Sequence, residues 1–493
     1  MYNVDLQHSK KKYHAIERIR LLLDQGSFRE TGAQVWNYAH QGDGNRAVPY
    51  DGVITGYGTV HGKPVYVFSQ DFTVKAGTIG RAHGEQIAQT IERAVRDRCP
   101  VIGIYDSGGA RIEESINALA GCADMLHWNT LASGSVPQIS VVLGPCAGAA
   151  SYSTALSDFV FMVESVSYMY VTGPDVVKSV SGSVLTHKEL GGAKVHSELS
   201  GSAHFCYRNE KLCFAGVRRL LSYLPASCDE LPPVADAPQL APALPQDLIP
   251  RQAQRVYDVR QVLESVLDDG SFMEVSASFG RAMVVGLGRM QGKTVGLIAN
   301  QPLYNCGSID CDASDKAARM VRFCDAFRIP LITFVDTPGY MPGADQEHSG
   351  IIRHGAKLLH AYSEATVPKI TVVLRKAYGG AYIAMCSKHL KADRYYVLPT
   401  AELAVMGAEG AVGIIHKKKL AAMEQEERQG YFDQQVALYQ REYMNADIAL
   451  HEGFADAMLQ PEQLRSRLID DLRIIGGKRS LYRIEKRHGN IPL

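Results

Sequence analysis

The chain has 493 residues, 46% of them hydrophobic and 21% charged, with 52 basic residues against 52 acidic ones. That length supports two or more ordinary domains with sizeable cores, and the balanced charge gives no global electrostatic reason to expect nucleic acid or an anionic membrane surface as a partner. Ten cysteines without a C-x-x-C pair read as reduced thiols, so neither a disulfide framework nor a metal site is expected.

The first residues, MYNVDLQHSKKKYHAIERI, are polar and basic and lack the apolar core of a signal peptide. No stretch reaches the roughly 18 unbroken apolar residues of a membrane helix, and a cytoplasmic protein is expected. DQGSFRE (residues 24–30) precedes hairpin-like strands around GYGTVHGKPV (56–65). Ile87, Ala88, Ile91, Ala94 and Val95 recur at helical spacing, and Pro100 then opens an apolar strand, VIGIY, that runs to Asp106 and the glycine loop DSGGAR. INALAGCADMLHWNTLAS predicts a second helix, followed by the strand ISVVL and the turn GPCAGAAS. Helices alternating with fully apolar strands predict buried parallel pairing.

Residues 225–250 hold 7 of the 21 prolines and read as an extended linker between an N-terminal domain, 1–224, and a C-terminal domain, 251–493. The second domain repeats the first. GLGRMQGKTV from Gly286 matches GYGTVHGKPV from Gly56, and PLITFVDTPG from Pro330 matches PVIGIYDSGG from Pro100, both at an offset of 230. VPKITVVLRKAYGGAYIAM from Val367 echoes VPQISVVLGPCAGAASYST from Val136 at 231, and DDGSFME echoes DQGSFRE at 244. Chance matches do not keep register over separate landmarks, so the chain reads as α/β, two tandem copies of one β/α domain.

The repeated strand ends in small residues: Gly148, Ala149 and Ala150 in one copy, Gly379, Gly380 and Ala381 in the other. No side chain there can act as acid, base or nucleophile, which leaves the backbone. Small residues let a ligand approach main-chain N–H groups, and a helix starting there favours negative charge. Tight helix–sheet packing would demand the same residues. The loops DSGGAR and DTPGYMPG, brought to the same carboxyl edge of the sheet, favour a pocket that holds an oxyanion.

Competing motifs fail on their own terms. GLGRMQGKT has Leu287 where a phosphate-binding loop needs its first glycine, and a strand follows, so a hairpin turn is expected. There is no G-x-S-x-G or H-E-x-x-H. His204, His354 and His416 stand singly and read as structural.

YDSGGARIEE, GPCAGAASYS, YVTGPDVVK, GYMPGADQEHSGIIRHGAKLL, RKAYGGAYIAM, AVMGAEGAV and KRHGNIPL, in that order, resemble the carboxyltransferase subunits of biotin-dependent acyl-CoA carboxylases. The resemblance is to the propionyl-CoA carboxylase β-subunit type, which includes transcarboxylase and decarboxylase carboxyltransferase subunits. It implies tandem duplicated crotonase-like (ClpP/crotonase) domains, and a hexamer, a trimer of dimers. It further implies carboxyl transfer between carboxybiotin and the α-carbon of a short-chain acyl-CoA. Gly148 and Ala149 would hold the thioester oxygen as an enolate forms; Gly380 and Ala381, with Gly379 beside them, would hold the ureido oxygen of biotin. Gly108, Gly109, Ala110 and Arg111 would form the acyl-CoA loop, with Arg111 near a CoA phosphate, and Gly339 and Tyr340 would serve the biotin side. Ile383 falls at the acyl-selecting position, where aspartate is common in propionyl-CoA enzymes. Without an M-K-M centre or an ATP-binding glycine loop, biotin is expected on a separate carrier protein and biotin carboxylase on another chain. Two alternatives stay open: the decarboxylation direction, and a biotin-independent hydratase or isomerase acting on CoA thioesters.

Overall fold

The computed structural model describes residues 4–36, 50–235, 248–252, 255–478, 486 and 488–492. It divides into two compact units, Met1–Pro233 and Val234–Leu493.

In the first unit the strands are β1 (Arg29–Thr31), β2 (Val53–Val60), β3 (Lys63–Gln70), β4 (Val101–Ser107), β5 (Gln138–Ala147), β6 (Phe159–Val163), β7 (Tyr168–Tyr170) and β8 (Phe205–Tyr207). They form one sheet in the order β1-β2-β3-β4-β5-β6-β8, with β7 against the end of β5. The first three pair antiparallel and the rest parallel. Every residue of β4 is buried, as an apolar strand covered on both faces should be. The helix Arg81–Arg96 turns Ile87, Ile91 and Ala94 onto this sheet, where they meet Val101, Tyr105 and Val142. It crosses the helix Ile116–Ala132 at two glycines: a Cβ on Gly84 would lie 2.3 Å from the carbonyl oxygen of Gly121.

The second unit repeats the plan with β9 (Met273–Val275), β10 (Met283–Met290), β11 (Lys293–Asn300), β12 (Leu331–Thr337), β13 (Lys369–Tyr378), β14 (Arg394–Val397), β15 (Glu402–Ala404) and β16 (Ala457–Met458). The order is β16-β14-β13-β12-β11-β10-β9, with β15 against β13. Its register matches the first unit: Glu30 pairs with Gly56, and Glu274 with Gly286. The two offsets in the sequence, 244 and 230, differ because 22 positions separate Thr31 from Val53 but only 8 separate Val275 from Met283. GLGRMQGKT is a β-hairpin, with Met290 paired to Lys293, as its sequence required.

The described ends of the Pro-rich stretch are packed. Ser227 is buried, Cys228 N–H donates to the Ser135 carbonyl at 3.0 Å, and Ala235 N–H donates to Gly292 at 2.9 Å in the second unit's hairpin. Residues 236–247, the middle of the expected linker, lie outside the described residues. Among the described residues no helix is long and apolar enough to cross a membrane.

Candidate active site

In each unit two glycine-bearing segments leave the same sheet edge side by side. The end of β4 and the end of β5 separate at an irregularity: Tyr105 pairs with Val142, but Ser107 pairs with Cys146, so β5 carries two extra residues. The second unit does the same, with Val335 on Val373 and Thr337 on Ala377. Beyond the irregularity β5 turns away from β6 and takes β7 as its neighbour, as β13 takes β15. Such a bulge re-aims the end of a strand.

The re-aimed strands then run into matching turns. Gly148 has φ 57° and Gly379 has φ 56°, in the left-handed region where glycine is favoured. A Cβ on Gly379 would come within 3.0 Å of the Val405 carbonyl oxygen. The turns open the short helices Ala149–Ala155 and Gly379–Ala384, whose first amides have no intrahelical acceptor. Gly148 N–H is engaged with the carbonyls of Tyr170 and Val171 at 3.2 and 3.1 Å. In this turn Gly148 therefore supplies the bend, and Ala149 carries the first helical amide.

The neighbouring loops are clamped alike. Ile79 N–H donates to Gly109 and its carbonyl accepts from Arg111; Ile309 does the same with Gly339 and Met341. Alternation along an extended segment leaves the amides of Ala110 and Tyr340 on the far side. Gly109 φ is 101°, and a Cβ there would lie 3.2 Å from the Ala147 carbonyl oxygen, so loop and turn are in contact. A Cβ on Gly380 would lie 3.6 Å from the Tyr340 ring, which shows the same closeness in the second unit. Burial pushes the Tyr340 phenol up to about 12, and its hydroxyl donates to Gly355. It stays neutral and presents a flat apolar wall. Gly108 lies in the first loop, and Ile383 stands 45% exposed on the second short helix.

Arg111 differs from its expected role. Only 1% exposed, its guanidinium bonds Asp51 and Glu114 at 2.6 Å each and the Thr78 carbonyl at 2.8 Å. An arginine so enclosed cannot also meet a CoA phosphate; it holds the base of the loop. His83 shares this buried network, with Nδ1 against the Asp51 carbonyl at 2.9 Å and Nε2 against Gln70 at 3.1 Å. Burial, and then the neighbouring Arg111 charge, push its pKa down from 6.5 to about 3. The folded chain keeps His83 neutral while the unfolded chain protonates it below 6.5, so stability present above that pH is lost as pH falls toward 3. The unfolding free-energy difference between wild type and His83→Gln is expected to shrink by about 1.4 kcal/mol per pH unit below the ordinary histidine value. Urea titrations at several pH values measure this, and a flat difference would contradict it.

The three single histidines are structural. His204 Nδ1 accepts from Val160 N–H at 2.9 Å, His354 pairs with Asp315 at 2.9 Å, and His416 meets the Tyr431 hydroxyl at 3.0 Å. The sequence reading missed Lys12, Arg18 and Arg375, which reach the buried Asp106 and Asp336 at the two bulges. The available signal was the aspartate ending the same apolar strand in both copies.

The chain has counterparts among known proteins over nearly its whole length. The chain is 48% identical over 491 residues to the carboxyltransferase subunit of propionyl-CoA carboxylase from Haloferax mediterranei, covering 99% of this chain and 95% of the relative. It is 45% identical over 494 residues to methylmalonyl-CoA decarboxylase subunit alpha of Veillonella parvula, covering 99% and 95%. A solved structure of transcarboxylase 12S, described as a hexamer assembly with hydrolysed methylmalonyl-coenzyme A bound, matches with TM-score 0.95 at 44% identity over 99% of this chain and 95% of that one. The duplicated units thus have the crotonase-like fold that the family resemblance implied. A family model, the carboxyl transferase domain, spans residues 6–491 and so takes in both bulged strands, both loops and both turns. The chain belongs to the carboxyl transferase domain family, and it is a carboxyltransferase.

Proposed function

We propose that the protein moves a carboxyl group between biotin, borne on a separate carrier protein, and the α-carbon of a short-chain acyl-CoA. The observation that carries this reading is the repeated main-chain cradle: a left-handed glycine at φ 57° or 56°, ending a bulged strand beside a glycine loop. One cradle suits one developing oxyanion, and a reaction with two carbonyl groups to stabilise needs two. In the first cradle the amides of Ala149 and Ala110 hold the thioester oxygen as the α-carbon loses its proton, with Gly148 setting the bend and Gly108 and Gly109 leaving room. In the second, the amides of Gly380 and Ala381 hold the ureido oxygen, Gly379 sets the bend, and Gly339 and Tyr340 shape the wall. A Cβ on Gly380 would meet only the Tyr340 ring, at 3.6 Å, and the room left by its absence suits a flat ring such as biotin's ureido group. Bound biotin supplies the carboxyl group and the basic ring nitrogen; the chain supplies position and charge stabilisation. Ile383, exposed on the second short helix, is proposed as an acyl-selecting residue.

The partners proposed are a biotin carrier protein and a biotin carboxylase, with assembly as a hexamer in the cytoplasm. The likeness to the Veillonella decarboxylase subunit supports a second reading of the same site, run in the decarboxylation direction. Purified protein mixed with methylmalonyl-CoA or malonyl-CoA and free biotin is expected to release carbon dioxide at a rate that depends on biotin. Turnover of a CoA thioester that persists without biotin would overturn this reading in favour of a hydratase or isomerase.

A further inference from the structure

Asp106 and Asp336 occupy equivalent places, 230 positions apart, and both are fully buried. Each lies opposite the two extra residues of the adjoining strand, where loop and turn part company. On the side away from the bulge each backbone N–H is met by a side-chain amide oxygen at the end of the neighbouring strand: Asp106 N–H donates to Gln70 Oε1 at 3.2 Å, and Asp336 N–H to Asn300 Oδ1 at 3.3 Å.

The carboxylates are held by cations of different origin. Asp106 Oδ2 accepts from Arg18 Nη1 at 2.9 Å, Lys12 Nζ at 2.5 Å and Gln7 Nε2 at 3.0 Å. Arg18 also donates to the Leu143 carbonyl, inside the bulge, at 2.8 Å and to Glu210 at 2.8 Å. In the second unit the cation comes from the bulged strand: Arg375 Nε reaches Asp336 Oδ2 at 2.8 Å, while Asp336 Oδ1 accepts the Lys376 amide at 3.3 Å. The counterpart of Arg375 is Gly144, 231 positions earlier, and that of Arg18 is Val262, 244 positions later. Gly144 has to be small, because its Cβ would fall 1.9 Å from Asp106 and 2.6 Å from the Lys12 amine. The buried pair is present in both copies although its cation has changed position.

Stability alone gives little reason for that, since apolar packing commonly replaces a buried ion pair without loss. Geometry gives a better one. Backbone donors hold an oxyanion only when their spacing is fixed to within about 0.5 Å, and the donors here come from two segments that diverge at this joint. We propose that Asp106 and Asp336, each with its arginine, are positioning residues for carboxyl transfer that fix the loop against the turn in their own unit. Their assignment to acyl-CoA and biotin respectively rests on the function proposed above.

Hydrogen exchange of the full chain and steady-state rates with methylmalonyl-CoA and free biotin test this. Asp106→Asn is expected to speed exchange at amides 108–110 and 148–150 about tenfold. It should also raise KM for methylmalonyl-CoA about fivefold, with KM for biotin within about twofold. Asp336→Asn should do the converse, at amides 338–340 and 379–381 and in KM for biotin. Where Asp106→Asn fails to fold, Lys12→Met keeps the Arg18 pair and should show the first pattern at about threefold. Exchange unchanged in these segments, or raised evenly through the whole unit, would overturn the proposal, as would KM values that move together in both variants. Exchange is read without substrate, so a wild type lacking biotin-dependent turnover would count against the functional reading alone.

Discussion

Ala149→Pro is expected to lower the rate of biotin-dependent decarboxylation by about 100- to 1000-fold, the usual effect of losing one preorganised oxyanion donor, about 2.7–4 kcal/mol. The substitution isolates the amide. Ala149 is the first residue of its helix, where proline's fixed φ is compatible and no intrahelical hydrogen bond is lost. The preceding Gly148, at φ 57° and ψ −124°, already lies outside the helical region that proline disfavours for its neighbour. Binding of methylmalonyl-CoA in its ground state should change far less than kcat, because the donor acts most strongly on the charge that develops as the enolate forms. Rates close to wild type, in a protein whose circular dichroism is unchanged, would remove Ala149 from the cradle.

A large loss of stability from a single added methyl group is expected at Gly84. A Cβ there would meet the carbonyl oxygen, carbonyl carbon and Cα of Gly121 at 2.3, 2.4 and 2.7 Å, all backbone atoms that no rotamer change can move aside. The helices Arg81–Arg96 and Ile116–Ala132 must then separate, opening the packing of Ile87, Ile91, Cys122 and Met125 beneath them. Overpacking of this kind costs about 1–3 kcal/mol. For a unit of this size Gly84→Ala should melt about 2–12 °C below wild type in calorimetry. An unchanged midpoint would mean that the helices adjust without loss.

The turns, the hairpins and the duplication were legible because each is set by local chemistry. Gly148 and Gly379 sit where the chain needs a left-handed residue, Gly292 with φ 75° closes a two-residue hairpin, and β4 and β12 are buried along their whole length. Arg111 misled because an arginine at the mouth of a glycine loop has the same local sequence whether it faces a phosphate or turns inward to Asp51, 60 positions away.

By itself, then, the sequence determined two copies of one strand–loop–strand–turn unit and small residues at both turns. Tertiary structure alone decided which amides remain available and what holds loop to turn. Arg18 reaches Asp106 across 88 positions and Leu143 across 125, whereas Arg375 reaches Asp336 across 39. Such pairs leave no periodicity or spacing in the chain, because their geometry exists only after the sheet has brought distant segments together and excluded water around the charges.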